Sequence, residues 1–156
     1  MAGLIEQYAG RSVDLLVFQP QADVPERLMS IFDATGGYAC AGIEKLVQRF
    51  LLHLLTAEGS SKYFPSKGCK LMTTARRGSL RTVSDVSGAF LLSMSTIKAN
   101  MRSEESSTDP ADERLSECLL RDVELENRVA KLTLEIVSVA GTSRTVIAPV
   151  SFMPVS

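Results

Sequence analysis

The segment over residues 42–71 constrains the fold of this chain more than any other. Apolar residues recur at spacings of three and four between Ile43 and Leu55, and polar residues occupy the other face. This pattern predicts an amphipathic helix over residues 42–56. Gly59, Pro65 and Gly68 follow and predict a chain reversal. Leu52 lies outside the apolar stripe, so we expect a partner protein to cover a second face of the helix.

A second amphipathic helix is predicted over Ser84–Arg102, with Thr82 and Asp85 forming a capping box at its start. Asp109 and Pro110 are typical of a helix N-cap and first position, and predict a short helix after the serine-rich stretch. The apolar face of that short helix is expected to consist of Leu115, Cys118 and Leu119.

The C-terminal part of the chain changes to period two, which is typical of half-buried strands. We predict three antiparallel strands near Cys118–Glu126, Val129–Val139 and Arg144–Val150, with turns at 127–128 and 141–142. The expected fold class is therefore α+β, with two main amphipathic helices and a C-terminal three-stranded antiparallel sheet.

Two parts of the chain are predicted to differ in role. Residues 42–156 form the α+β domain, and residues 1–41 form an N-terminal extension. Within the extension, Val13–Phe18 favours a short strand, and Pro25 favours the start of a short helix through Phe32.

Composition argues against several partners. The 156 residues carry a net charge of -1 and only 6% aromatic residues, so neither charge nor base stacking favours nucleic acid. Apolar runs are too short to span a membrane, and the N-terminus lacks the basic residues of a signal peptide. The three cysteines are widely spaced, and we interpret them as reduced thiols.

Five carboxylates lie close together in sequence and are the first candidates for catalysis. They are Glu104, Glu105, Asp109, Asp112 and Glu113. A peptidoglycan hydrolase would need two of them facing a sugar, with one held protonated. Their position in a polar loop and a helix start instead favours solvated, ionised groups, so we predict no enzymatic activity.

His53 and the run Arg76-Arg77-Gly78-Ser79 are weaker candidates. His53 has no second histidine and no close cysteine pair, so no metal or other cofactor is expected. A dyad of His53 with one of the cysteines stays open on spacing alone. The arginine pair favours a plain turn, with docking on an acidic partner as the alternative.

The last strand, Arg144–Phe152, is expected to be a sheet edge. An edge exposes backbone N–H and C=O groups that can receive a strand from another chain. The alternative is that Pro149, Pro154 or the protein's own N-terminal strand closes this edge.

A run of motifs resembles the baseplate wedge and sheath-initiator family of contractile phage tails, often labelled lysozyme-like. The residues that carry the resemblance are Leu54-Leu55-Thr56, Gly59, the loop Pro65–Leu71, the long second helix and Ala140-Gly141. The resemblance covers about two thirds of the chain. The family's Glu-Pro-Arg motif is absent, and only Glu113-Arg114 partly matches it.

The resemblance implies a structural role in the virion, at the tail baseplate, with assembly in the host cytoplasm. It implies binding to other wedge subunits through helices and initiation of the sheath, whose arms add strands to the small sheet. Tail tube and hub proteins are further candidate partners. We expect the partner contacts at nine residues: Leu52, His53, Arg76, Arg77, Glu113, Arg114, Arg144, Val146 and Ile147. Alternatives are a tail hydrolase, an oligomerisation module, or a baseplate subunit of a related injection machine.

Overall fold

A computed structural model describes residue 11, residues 14–15 and residues 39–152. These residues form three α-helices, a 3-10 helix, a two-stranded pairing and a three-stranded antiparallel sheet. The predicted α+β class is confirmed.

Helix α1 spans Ile43–Leu55 and agrees with the predicted helix over 42–56. Its apolar stripe is fully buried in the core and consists of Leu46, Val47, Phe50, Leu51 and Leu54. Leu52 is 45% exposed, as expected for the one leucine outside the stripe. Helix α1 therefore has a core face and a second face with a large exposed apolar residue.

Helix α2, which was not predicted, spans Lys70–Arg76. It has only two buried positions, Leu71 and Ala75, so the sequence carries too little periodicity to reveal it. After the helix, Gly78 donates to the carbonyl of Ala75 and Ser79 to that of Thr74. With Gly78 at a φ of 68°, this is a Schellman C-cap.

Helix α3 spans Val83–Glu104 and extends the predicted helix at both ends. The predicted capping box is confirmed, because Thr82 Oγ1 accepts from the Asp85 N–H and Asp85 accepts from the Thr82 N–H. Its core face is centred on Phe90 and Ile97, both fully buried. Helix α3 thereby forms the layer that lies against the sheet.

The prediction of a short helix after Asp109 is wrong beyond the first turn of that helix. Only Ala111–Glu113 are helical, as a 3-10 turn, and strand β3 begins at Leu115. The spacing of Leu115, Cys118 and Leu119 matched a helix by chance. A β-bulge after Leu115 shifts the alternation, so that Leu115 and Cys118 are both buried on a strand.

The sheet contains β3 (Leu115–Glu126), β4 (Val129–Ser138) and β5 (Ser143–Ser151) in the order β3-β4-β5. The three predicted strands are confirmed. Asn127 and Arg128 form the first hairpin turn with φ angles of 48° and 67°, which type I′ turns require. Alternate residues of β4 and β5 face the helices and complete the core.

The described part of the N-terminal extension is attached to the α+β domain. Strand β1 (Asp14–Leu15) pairs antiparallel with β2 (Ala39–Cys40) inside the extension. The contact with the domain is made by Arg11, which forms a 2.8 Å ion pair with Asp112, and by Asp14, which accepts from Gln48 at 3.4 Å. Strand β1 lies within the predicted Val13–Phe18. The helix predicted over Pro25–Phe32 lies outside the described residues.

Candidate functional site

A buried carboxylate, Glu113, lies where the start of α1 meets the 3-10 helix. Glu113 is 3% exposed, and its carboxylate accepts from the Gly42 N–H at 3.0 Å and from Lys45 Nζ at 2.9 Å. Arg49 donates to the Glu113 carbonyl at 3.2 Å. Glu105, with a side chain 8% exposed, accepts from the Leu115 N–H at 3.0 Å. We call these five residues (Gly42, Lys45, Arg49, Glu105 and Glu113) the junction.

The junction overturns the expectation that water surrounds the carboxylates. Glu105 and Glu113 are buried and bonded internally, because they hold the 3-10 helix and the start of β3 against α1. Asp112 pairs with Arg11, and Asp109 accepts from the Ser106 N–H at 2.7 Å in a local turn. Sequence spacing could not reveal the burial of Glu113, since its partners on α1 and at Gly42 lie 64 to 71 residues away.

Glu104 ends α3 beside a pocket of about 260 Å³. Arg49, Leu52 and His53 of α1 line one side, and Ser61 and Lys67 line the other. Glu104 Oε2 lies 3.3 Å from His53 Nε2, and Oε1 lies 3.3 Å from Lys67 Nζ. Burial acts to raise the pKa of Glu104, but the His53 hydrogen bond and the Lys67 charge outweigh it and lower that pKa. A carboxyl group held ionised in this way is a poor general acid.

Arg49 joins the junction to this pocket. Its Nη2 lies 3.7 Å from Glu104 and its Nη1 lies 3.7 Å from Glu105, and both distances are longer than a hydrogen bond. Within the described chain, its one recorded hydrogen bond goes to the Glu113 carbonyl. The guanidinium therefore keeps N–H donors directed at the pocket that a further acceptor could use.

The loop after α1, residues 56–69, exposes two neighbouring aromatic side chains, Tyr63 at 83% and Phe64 at 57%. We call this segment the aromatic loop. Lys67 lies over the Phe64 ring at 4.9 Å and also lines the pocket, so the loop and the pocket are continuous. Sequence reasoning missed these aromatics, although two consecutive aromatic residues inside a polar loop were a usable signal.

The aromatic loop is held by hydrogen bonds at both ends. Cys69 donates to the Thr56 carbonyl at 2.9 Å, and Asn100 of α3 donates to the Ser66 carbonyl at 2.7 Å. Gly68 has a φ of 100°, and a Cβ there would lie 2.6 Å from the Thr56 carbonyl oxygen. Glycine is therefore required where the loop returns to the end of α1.

Strand β5 forms one edge of the sheet as far as the chain is described. Ser138 donates to the Thr142 carbonyl at one end of the β4–β5 ladder, and Phe152 donates to the Arg128 carbonyl at the other. In an antiparallel ladder, hydrogen-bonded and non-hydrogen-bonded residue pairs alternate. The backbone N–H and C=O groups of even-numbered β5 residues therefore bond to β4, and those of odd-numbered residues face away from the sheet. The N–H of Val146 therefore faces β4, and that of Ile147 faces outward.

The two edges of the sheet differ. Strand β3 has register shifts after Leu115 and after Leu120. Strand β5 has no register shift from Ser143 to Ser151. Pro149 occupies an outward position, where its missing N–H removes no bond to β4 but leaves the outer edge without a donor at that residue. Bulges interrupt the row of outward N–H and C=O groups that an added strand would pair with, so β5 is the edge better able to receive another strand.

The remaining predicted contact residues differ in accessibility. Arg76 and Arg77 are exposed at the end of α2, in the capped turn that we favoured, and Arg144 is half-exposed, 3.6 Å from Glu44. The side chains of Glu113, His53 and Val146 are buried, at 3%, 4% and 1% exposure. Arg114 is partly buried, with an Nε that has no hydrogen-bond partner.

The three cysteines are buried free thiols, in agreement with the prediction. Burial raises the pKa of Cys40 to about 11 and that of Cys118 to about 12, and burial also raises that of Cys69. Cys69 Sγ donates to the Leu54 carbonyl at 3.2 Å. Because a thiolate is the reactive form, these thiols lack the activation that a cysteine–histidine dyad requires.

Comparisons give this chain no relative: no protein-family model, no curated protein and no solved structure matches it. In the part of the chain that the structure describes, no helix has the length and apolar character to span a membrane. Nor do the described histidine, cysteine and acidic side chains form a group of three or more that could hold a metal ion.

Proposed function

We propose that this protein is a structural baseplate subunit of a contractile phage tail, which receives a sheath strand on β5 and binds other wedge subunits through its helices. The observation that carries this proposal is the unbroken register of the edge strand β5 with β4, in contrast to the β3 edge with its two bulges. Main-chain hydrogen bonds to an added strand supply affinity with little demand on sequence.

Two further observations support an assembly role. The order of helix, loop, long helix and three strands is the order that the family resemblance implies. Leu52 lines the pocket with its side chain exposed, and Phe64 is exposed under Lys67, which lines the same pocket; exposed apolar side chains in one area mark protein contacts. Neither observation depends on the other.

The carboxylates favour assembly over the hydrolase alternative. Glu105 and Glu113 each accept a backbone N–H bond inside the fold, and Glu104 has a lowered pKa. A glycosidase needs one carboxyl group kept protonated near neutral pH. Replacing Glu105 and Glu113 together would disturb the junction, so the cleaner test is a zymogram of the unmodified protein on cell-wall substrate. Robust clearing would favour the hydrolase.

The test of strand addition is Ile147→Pro. Proline removes the outward N–H of residue 147 and leaves the β4–β5 bonds in place, so the subunit should fold but fail to start sheath polymerisation. Ile147→Val is the matched control, because it changes the side chain and keeps the N–H. Val146→Pro breaks an inward bond and should weaken the fold itself. Normal sheath polymerisation on Ile147→Pro would refute strand addition at β5.

A further inference from the structure

The pocket beside α1 and the aromatic loop form one continuous surface, joined at Lys67. We propose that this surface binds a segment of another protein in which an apolar side chain lies next to a carboxylate. The proposal deepens the helix-mediated binding proposed above and rests on that function only in assuming a protein partner. It is independent of strand addition at β5.

Size is the first argument. The pocket is about 260 Å³, which is below the roughly 300–1,000 Å³ of typical small-molecule sites. It can hold a side chain or two from a protein. Leu52 lines the pocket, and Tyr63 and Phe64 are exposed on the aromatic loop, where they would contact a larger partner.

Charge is the second argument, and it determines the chemistry of the occupant. Arg49 and Lys67 line the pocket with His53, and Glu104 is the one carboxylate among the lining residues. Arg49 reaches Glu104 and Glu105 only at 3.7 Å, so its guanidinium can take a closer carboxylate. A charge-assisted bond to an arginine is stronger than a neutral one, and a bidentate carboxylate fits its planar fork.

Preorganisation is the third argument. The aromatic loop is tied to Thr56 through Cys69 and to α3 through Asn100, and Gly68 fits only without a side chain. Tyr63 and Phe64 are thus exposed on a backbone that is already fixed. A fixed loop loses less conformational entropy on binding, which raises affinity for a given contact area. Exposed aromatics with a neighbouring arginine are the composition of binding hot spots.

The experiment titrates the full-length protein with a short amphipathic peptide that has leucine on one face and glutamate on the other. The probe is compared with the same peptide carrying lysine in place of glutamate. Backbone amide NMR shifts should move at residues 49–67 with the glutamate peptide, and the lysine peptide should bind at least tenfold more weakly. Added salt should weaken the binding of the glutamate peptide.

Variants locate the site. Phe64→Ser should weaken binding of the glutamate peptide about tenfold, the scale of one hot-spot residue. Lys67→Glu should reverse the preference between the two peptides. Leu92→Ser, at a side chain 72% exposed on α3, is the matched control and should bind like the unmodified protein. All three side chains are exposed or half-exposed, so circular dichroism should show an unchanged fold.

Three results would overturn the proposal: equal binding of both peptides, shifts centred outside residues 49–67, or unchanged binding in Phe64→Ser. Contacts between Phe64 and the protein's own residues 16–38 in the NMR spectra would also overturn it. These failures are distinct from failure of strand addition. That is measured by sheath polymerisation on Ile147→Pro, a residue on β5 and outside this pocket.

Discussion

Helix α1 contributes to two regions that differ in what they bury: one buries charged groups, and the other leaves an apolar side chain exposed. At the junction, Glu113 is buried and bonded to Gly42 and Lys45, all within one chain. About two to three turns later, Leu52 is exposed beside a pocket. At the junction, the Glu113 carboxylate is hydrogen-bonded to groups of the same chain. On the pocket side, the Leu52 side chain is exposed and Arg49 lines an open pocket.

The difference separates stability from binding. A buried ion pair that loses one partner leaves an uncompensated charge, so the junction should be sensitive to any change. Exposed apolar side chains contribute little to the isolated fold, so the pocket side should tolerate change until a partner is present. The following predictions test this contrast, from the largest expected effect on stability to the smallest.

Glu113→Ala should be the most destabilising change. It removes the carboxylate that accepts from Lys45 Nζ at 2.9 Å and from the Gly42 N–H, and the loss should be about 3 kcal/mol, the lower end for a buried pair, because Lys45 is part-buried. Urea unfolding followed by circular dichroism measures the loss. Asp112→Ala is the control and should cost much less, because its partner Arg11 is solvent-exposed. Equal losses at the two positions would show that burial does not distinguish the junction.

Gly68→Ala should destabilise by about 2–3 kcal/mol, from strain at a φ of 100° and the close approach to the Thr56 carbonyl. Gly59→Ala is the control, since its φ is 74° with no atom within 4 Å, and it should cost about 1 kcal/mol. Thermal unfolding of both variants measures the difference. If the costs are the same, the loop is less tightly held than its contacts indicate.

Glu104→Gln should have a small effect that depends on pH. The pKa of Glu104 is lowered below 4.5 in the folded state, so its carboxylate stabilises the fold above that pH. As the pH falls through the folded-state pKa, this contribution is lost. The variant should be less stable by up to about 1 kcal/mol at pH 7, and the gap should close in acid. A stability difference between the two proteins that widens in acid would contradict a lowered pKa of Glu104.

Leu52→Asp should leave stability within about 0.5 kcal/mol, because the side chain is exposed. It should nevertheless block assembly with wedge subunits, since a carboxylate would stand where apolar contact is expected. Size-exclusion chromatography with partner subunits and an unfolding curve together measure both effects. Leu51→Asp, at a fully buried neighbour, is the contrasting change and should unfold the protein. A folded Leu52→Asp variant that still assembles would remove α1 from the interface.

Regular elements were predictable from the sequence because their signals are local. Apolar spacing gave α1 and α3, the capping box gave the start of α3, and alternation with turn residues gave the three strands. The seven-residue α2 was too short to show a period. The β-bulges in β3 shifted its alternation, so the residues at 115–119 looked helical.

The polar site was decided by tertiary structure. Glu113, Lys45 and Gly42 are distant in sequence, and nothing local distinguishes a carboxylate that will be buried from one that will stay in water. The fold alone places Glu104 beside His53, and Lys67, with the Phe64 ring under it, beside the same pocket. The sequence by itself determined the class and order of elements, because periodicity and capping act within a few residues. Which charges are buried, and which apolar groups are left exposed, depended on long-range packing that no local pattern encodes.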